Sequence, residues 1–276
     1  MPVSSDVEAG GSSSGDESRS ESGEDSTASG GDRLPVNELF ESLQGEGRLA
    51  GVPSVFVRTS GCNLRCWFCD SYHTSWEPTH ATMSVEEILA EVESHDADHV
   101  VVTGGEPLLH DPVVSLLDEL DARGYHTTVE TNGTIYRDAP IDLASVSPKL
   151  ASSTPTPERD PTPEDGPTDA GEWAERHEER RIDLDALAAL VEDYDFQLKF
   201  VVSERDDVEE ITDLLARIRD AAAVPIRDTD VLLMPEGATT DRIEETRPVT
   251  AELAREYGFR YTPRLHVNLW NDAPET

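Results

Sequence analysis

The 276 residues predict an α/β domain built on a parallel sheet, with a partial (β/α) barrel as the leading architecture. Three observations carry this. Short β-branched runs alternate with amphipathic stretches of helical period along most of the chain. Helix start and stop signals punctuate the alternation. The residues with unusual chemistry fall just after the strand-like runs, where parallel sheets gather their functional groups.

Taken in order, residues 36–41 and 54–58 read as strands. Ser84 and Glu87 have capping-box spacing, and Val85, Ile88, Leu89 and Val92 lie on one face, so a helix is expected to about His95. His99 to Thr103 (HVVVT) reads as a buried strand. Asp111-Pro112 opens a helix that Gly124 stops. Strands are expected over 125–130 and 143–147, and a helix over 183–194 with Leu184, Leu187, Leu190 and Val191 on one side. A strand over 197–202, a helix over 206–221 and a strand over 231–234 follow. A last helix ends near Tyr257, and 264–269 reads as a final strand through its alternating Leu265, Val267 and Leu269. The domain is expected over 33–276. Residues 1–32 are Ser, Gly and acids with almost no apolar side chain, which predicts a disordered acidic tail. Residues 151–181, rich in Pro, Thr and acids, read as a flexible insertion with Trp173 anchoring its end.

The formal net charge is −36. That argues against a nucleic-acid groove, which needs cations to displace counterions, and against an anionic membrane surface. No apolar run is long enough for a membrane span and no leader pattern opens the chain, so a cytoplasmic protein is expected. Lys149 and Lys199 are the only lysines among the 22 basic residues. Most of the acid excess lies beyond residue 32. A surface poor in Lys and rich in Asp and Glu suits concentrated salt, where screening suppresses self-repulsion, and points to a halophilic source.

All three cysteines, Cys62, Cys66 and Cys69, fall in one C-x3-C-x2-C stretch directly after a predicted strand. Three thiolates on an iron–sulfur cube leave one iron open to an outside ligand. The rival is a zinc site of Cys62, Cys66, Cys69 and His73. The odd count and expected compartment disfavour a disulfide. Thr103-Gly104-Gly105-Glu106-Pro107 follows the next strand; its glycines permit close backbone approach and Glu106 offers an acceptor for an ammonium group.

These two motifs together resemble the radical S-adenosylmethionine (radical SAM) superfamily. Further stretches are similar to one family in it, the 7-carboxy-7-deazaguanine synthases. They include Glu41-Ser42-Leu43-Gln44-Gly45-Glu46-Gly47, Gly61-Cys62-Asn63-Leu64-Arg65-Cys66, Glu130-Thr131-Asn132-Gly133-Thr134, Ser147-Pro148-Lys149, Lys199-Phe200-Val201-Val202 and Leu265-His266. The order matches, over residues 36 to about 270. The resemblance implies a lyase that contracts 6-carboxy-5,6,7,8-tetrahydropterin to 7-carboxy-7-deazaguanine with loss of ammonia. This is a step toward the tRNA nucleosides archaeosine or queuosine, and the composition favours the archaeal product. The implied cofactors are a [4Fe-4S] cluster, S-adenosyl-L-methionine (SAM) and Mg2+. An external electron donor and a homodimer are also implied.

The resemblance assigns cluster ligation to Cys62, Cys66 and Cys69. It assigns SAM contacts to Phe68, Cys69, Asp70, Gly105, Glu106, Ser147, Pro148 and Lys149, and Mg2+ to Ser71, where most members carry Thr. Leu43, Gln44, Gly45, Arg58 and Thr103 are implied to hold substrate, with Glu130, Asn132, Lys199 and His266 as further candidates. No side chain is expected to make or break the carbon bonds, because the radical is cofactor-borne. Around His266 the family's usual Gln and Lys are replaced by Arg264 and Val267. Each polar candidate also has an ordinary reading: loop cap for Gln44, surface ion pair for Arg58, core histidine for His266. The remaining histidines and the carboxylate-rich helices read as solvated faces. Two rival functions stand beside the lyase: another radical SAM enzyme, such as a glycyl-radical activase, and a non-enzymatic zinc-stabilised interaction module.

Overall fold

The computed structural model describes residues 32–161, 170–271 and 273. The tail expected over 1–32 lies outside them apart from Asp32, as does 162–169 of the insertion. The strands are β1 (Arg33–Leu43), β2 (Pro53–Thr59), β3 (Ala81–Ser84), β4 (His99–Gly104), β5 (His126–Thr131), β6 (Leu143–Val146), β7 (Phe196–Val202), β8 (Val231–Pro235) and β9 (Arg260–Tyr261). They form one nine-stranded sheet in the order β3-β1-β2-β4-β5-β6-β7-β8-β9. From β2 to β9 in that order every pairing is parallel, and helices supply the crossovers except between β5 and β6, which the irregular segment 132–142 joins. This is the expected α/β architecture of a partial barrel, with one addition: β1 pairs antiparallel with both β2 and β3. The loop 44–52 explains the reversal. It is too short for a helical crossover, so the chain turns back on itself instead.

The helices are α1 (Tyr72–Ser75), α2 (Val85–Val92), α3 (Val113–Ala122), α4 (Ala170–Arg180), α5 (Leu184–Asp193), α6 (Asp207–Ala221), α7 (Thr240–Tyr257) and α8 (Leu265–Trp270). Helix α2 begins with the predicted capping box: Glu87 N donates to Ser84 Oγ at 3.2 Å and Ser84 N donates to Glu87 Oε2 at 2.7 Å. Such caps contribute about 1 kcal/mol. Its Val85, Ile88, Leu89 and Val92 are buried, as are Leu116, Leu117 and Leu120 of α3 and Leu187, Leu190 and Val191 of α5. They close over Val55, Val57, Val100, Val102, Leu198, Phe200 and Leu233 from the sheet. Each such side chain contributes about 1.5–3 kcal/mol by leaving water, which fixes the strand ends that carry the site.

The strand expected over 264–269 is instead helix α8. The sheet ends with β9, and Pro263 breaks the extended run; the chain then folds back over the strand ends, where Leu265 N donates to Gly45 O at 2.8 Å. The alternation that suggested a strand only places Val267 inward. Of the segment 151–181, expected as a flexible insertion, the described parts hold a 3-10 turn (Ala151–Ser153) and α4. Trp173 of α4 stacks on Arg65, as its reading as an anchor requires. One histidine read as solvated is buried: His177, on the inner face of α4, lies between Arg65 and Ser153, while His99, in its expected buried strand, lies between Ser54 and Thr128. Among the described residues no helix is long and apolar enough to cross a membrane.

Candidate active site

A cavity of about 440 Å³ opens at the C-terminal ends of the parallel strands. Each strand delivers its share. β1 and its loop bring Leu43, Gln44, Gly45 and Glu46. β2 brings Arg58, and the loop after it Cys62, Cys66, Phe68, Cys69, Asp70 and Ser71. β4 brings Thr103, Gly104 and Gly105; β5 brings Glu130, Thr131 and Asn132; Ser147 and Lys149 follow β6. Lys199 of β7 and Arg264 and His266 from the C-terminal helix complete the wall. Apart from Glu106 and Pro148, every site residue expected from the sequence lines this one space.

The three cysteines are free and lie inside the wall. Burial, reinforced by mutual repulsion, raises all three thiols, Cys66 to about 12. Such groups stay protonated in the empty protein and become thiolates only against a strong positive centre. Two sulfurs accept hydrogen bonds, Cys62 Sγ from Leu64 N at 3.4 Å and Cys69 Sγ from Ser75 Oγ at 3.1 Å. Lys149, hydrogen-bonded to Ser147 Oγ at 2.8 Å, stabilises negative charge on Cys66.

The glycine pair after β4 works differently from expectation. Gly104 has φ +138°, and a Cβ there would stand 2.1 Å from Thr59 O; a Cβ on Gly105 would stand 2.2 Å from Gly61 O. The pair therefore lets this loop lie directly on the backbone leading into the cysteine loop. Glu106 is also redirected. It is fully buried, accepts from Leu108 N (3.1 Å) and Thr131 Oγ1 (2.9 Å) on one oxygen and from Asn132 N (2.7 Å) on the other, and does not line the cavity. Burial pushes its carboxyl up to about 7 against these bonds. Its work is to pin the β4 loop to the end of β5. Asn132 extends the brace, donating from Nδ2 to Asn63 Oδ1 at 2.9 Å in the cysteine loop.

Opposite the sulfurs lies a buried ionic network. Lys199 Nζ donates to Glu46 Oε2 at 2.6 Å and Glu130 Oε2 at 2.8 Å, and Gln44 Nε2 donates to Glu130 Oε1 at 3.3 Å. Arg264, 5 % exposed, donates to Glu46 Oε1 at 3.0 Å, to Gly237 O at 2.7 Å and to Asp70 Oδ2. Despite its burial, Glu46 is held down to about 2 by these two cations, and Asp70 is held low chiefly by Arg264. The sequence marks Glu46 only as part of the stretch 41–47 and Arg264 only as a departure from the family's pattern; their pairing depends on contacts distant in sequence. Gly45 has no room for a side chain, because a Cβ would overlap His266 Nδ1 at 1.8 Å. Arg58 Nη1 donates to Ser71 Oγ at 2.8 Å, and Arg58 Nε lies 2.8 Å from Glu38 Oε2.

A cavity at parallel strand ends, walled on one side by three thiols and on the other by polar groups fit for a heterocycle, defines a radical SAM enzyme, and residues 56–150 match the family model described as the Radical SAM superfamily. A curated 7-carboxy-7-deazaguanine synthase from Halobacterium salinarum is 68% identical over 93% of this chain and 99% of that protein. Synthases of the same name from Rhodopirellula baltica and Pyrobaculum aerophilum are 39% and 35% identical, over 85% and 87% of this chain and 85% and 96% of theirs. The crystal structure of QueE from Escherichia coli superposes with a TM-score of 0.57 at 26% identity, over 85% of this chain and 95% of that one. The chain belongs to the 7-carboxy-7-deazaguanine synthase family of the radical SAM superfamily, and its activity serves deazapurine biosynthesis.

The residues fit the [4Fe-4S] cluster and SAM that this superfamily implies. Three buried thiols with donors aimed at two of the sulfurs suit cluster ligation. The glycine loop, Ser147 and Lys149 stand beside them on the same wall. Family membership decides against the zinc-stabilised module; His73 lines the cavity too, but among the described residues no three His, Cys, Asp or Glu side chains converge on a point that a single metal ion would occupy.

Proposed function

We propose that the cavity binds 6-carboxy-5,6,7,8-tetrahydropterin against the Gln44–Glu130–Lys199 side and contracts its ring to 7-carboxy-7-deazaguanine with loss of ammonia. The observation that supports this is the meeting of two chemistries in one space, with thiols and a glycine loop lining it together with amide and cationic donors and carboxylate acceptors. Cys62, Cys66 and Cys69 hold the cluster, leaving one iron for the amino and carboxylate groups of SAM. Phe68, Asp70, Gly105, Ser147 and Lys149 surround SAM; Glu106 and Pro148 act from behind the wall. When bound, cluster and SAM together supply a hydrogen-abstracting carbon radical.

The protein's own part is placement and exclusion of water. Arg58 offers a bidentate fork to the substrate carboxylate. Gln44 presents a donor and an acceptor to the pterin edge, and Thr103 a hydroxyl beside it. Leu43 and Gly45 allow the flat ring to approach, with His266 behind Gly45. Lys199 holds the Glu46 and Glu130 carboxylates in place, so both accept from ring N–H groups without moving. Ser71 is the hydroxyl offered to Mg2+. Arg58 engages that hydroxyl in this arrangement.

The chain works as a homodimer with an external one-electron donor in this reading, and its product leads toward archaeosine or queuosine. The direct test is anaerobic turnover of the carboxy-tetrahydropterin with SAM and a reductant in concentrated salt, followed by mass analysis. Formation of the deazaguanine acid with release of ammonia is expected. Iron-loaded, reduced protein that yields no such product overturns the substrate assignment.

A further inference from the structure

Residues 151–153 and helix α4 grip the cysteine loop outside the lining of the cavity. Trp67 donates from its indole Nε1 to Ser152 O at 2.7 Å and from its backbone N to Ser153 O at 3.1 Å. Arg65 lays its guanidinium 4.2 Å from the centre of the Trp173 ring. Between these contacts stands His177, 0 % exposed. Its Nδ1 accepts from Arg65 N at 3.2 Å, and its Nε2 lies 2.8 Å from Ser153 Oγ. Because a backbone N–H points at Nδ1, that nitrogen is the acceptor, so Nε2 carries the proton and donates to Ser153. Ser153 Oγ in turn donates to Leu150 O at 2.6 Å. None of Arg65, Trp67, Ser153, Trp173 or His177 lines the cavity.

We infer that His177 is a positioning residue for the iron–sulfur cluster, fixing the backbone of the cysteine loop through the Arg65 amide, next to Cys66. The direction of each sulfur depends on the backbone between the cysteines, and the Arg65 amide lies directly before Cys66. Left without an acceptor, that buried N–H would cost about 1–3 kcal/mol, so the loop would turn to satisfy it elsewhere and move Cys66. His177 supplies the acceptor and is itself locked by Ser153, which is how outer partners keep metal ligands in place. The Ala151–Ser153 turn and α4 thereby act together as a clasp on the loop.

The inference rests on the cluster assignment, and iron and sulfide content of the anaerobically reconstituted full-length wild type tests that assignment separately. The clasp is tested by His177→Phe and His177→Gln in the same protein. The readouts are the rate of iron loss to a chelator, the electron paramagnetic resonance spectrum of the reduced cluster with SAM, and thermal unfolding. With His177→Phe, iron loss about tenfold faster or more and a broadened spectrum are expected, the range that outer-sphere partners command. Gln, whose amide both accepts and donates, restores wild-type behaviour. Wild-type retention and an unchanged spectrum in the Phe variant overturn the inference. So does iron loss that rises only in proportion to global unfolding. Should the Phe variant fail to fold, Trp173→Ala keeps His177 and removes the Arg65 stack together with a contact to Arg176 within α4: a several-fold faster loss supports the clasp, and no change overturns it.

Discussion

Lys199 Nζ lies 2.6 Å from Glu46 Oε2, joining β7 to the loop after β1 across a sequence separation of 153 residues. The Lys199 side chain is 3 % exposed, and its second partner, Glu130, lies 2.8 Å away. Lys199→Met is close in length but leaves two carboxylates facing each other in a buried wall. Removing one partner of a buried pair typically costs about 3–5 kcal/mol. Chemical denaturation of the variant in concentrated salt is expected to show a loss of that size. The carboxy-tetrahydropterin should also bind more weakly, because one carboxylate protonates and stops accepting. Unchanged stability and KM would remove Lys199 from the site.

Gly104→Ala and Gly105→Ala test why the glycine pair is there. In each, the new Cβ meets backbone rather than a movable side chain. Gly104 adds a positive φ, which costs a non-glycine residue about 1–2 kcal/mol before any overlap. Gly124→Ala is the control: it too has positive φ, 81°, but nothing stands within 4 Å of its Cβ. The control should lose only the conformational cost. The two loop variants should lose several times more stability and retain less iron, measured by thermal unfolding and iron content. If all three behave alike, close packing of the two loops is not what the pair provides.

Much of the site was legible because it follows from local covalent chemistry. Three thiols in eight residues and two adjacent glycines after a β-branched run keep their meaning wherever they occur. What was not legible depends on long-range pairing. Glu106 next to glycines reads as a ligand contact until β5 brings Thr131 and Asn132 against it. Arg264 reads as a departure from pattern until the chain returns it to Glu46 and Asp70. A buried histidine such as His99 carries no mark of its partners, since its neighbours in sequence are aspartates and valines while those partners lie on β2 and β5. The helix at 265–270 was hidden by alternation over so few residues that helix and strand periods cannot be told apart.

Ser71 and Arg58 give a metal prediction. Their 2.8 Å contact ties up the hydroxyl and places a positive group beside it. Substrate carboxylate should draw Arg58 away, so Mg2+ should bind at Ser71 only in the presence of substrate and should then raise turnover. Ser71→Ala removes the oxygen and should abolish the Mg2+ response while leaving iron content intact. Ser71→Thr, which keeps the oxygen on a stiffer side chain, should strengthen the response. Turnover with and without chelator across the three proteins decides this, and equal Mg2+ stimulation in the alanine variant would take the ion away from residue 71.

His99 makes stability fall with acid in a defined window. It is 4 % exposed, with Nδ1 2.7 Å from Ser54 Oγ and Nε2 2.8 Å from Thr128 Oγ1. Burial, with His126 beside it, holds it at about 4, and Asp142 opposes this only weakly. The unfolded chain takes up the proton near 6.5, so between about 6.5 and 4 the unfolded state binds more protons than the folded one. His99 therefore leaves stability untouched above 6.5 and erodes it as pH falls, by on the order of 2 kcal/mol at pH 5. The hydroxyls of Ser54 and Thr128 rotate to accept from either nitrogen, so the cost is the buried charge rather than a broken hydrogen bond. His99→Gln keeps a donor and an acceptor but cannot be charged. Its stability should lie near or below wild type at pH 7.5 and decline less steeply toward pH 5. Parallel curves for the two proteins in concentrated salt would show that protonation of His99 does not drive the loss.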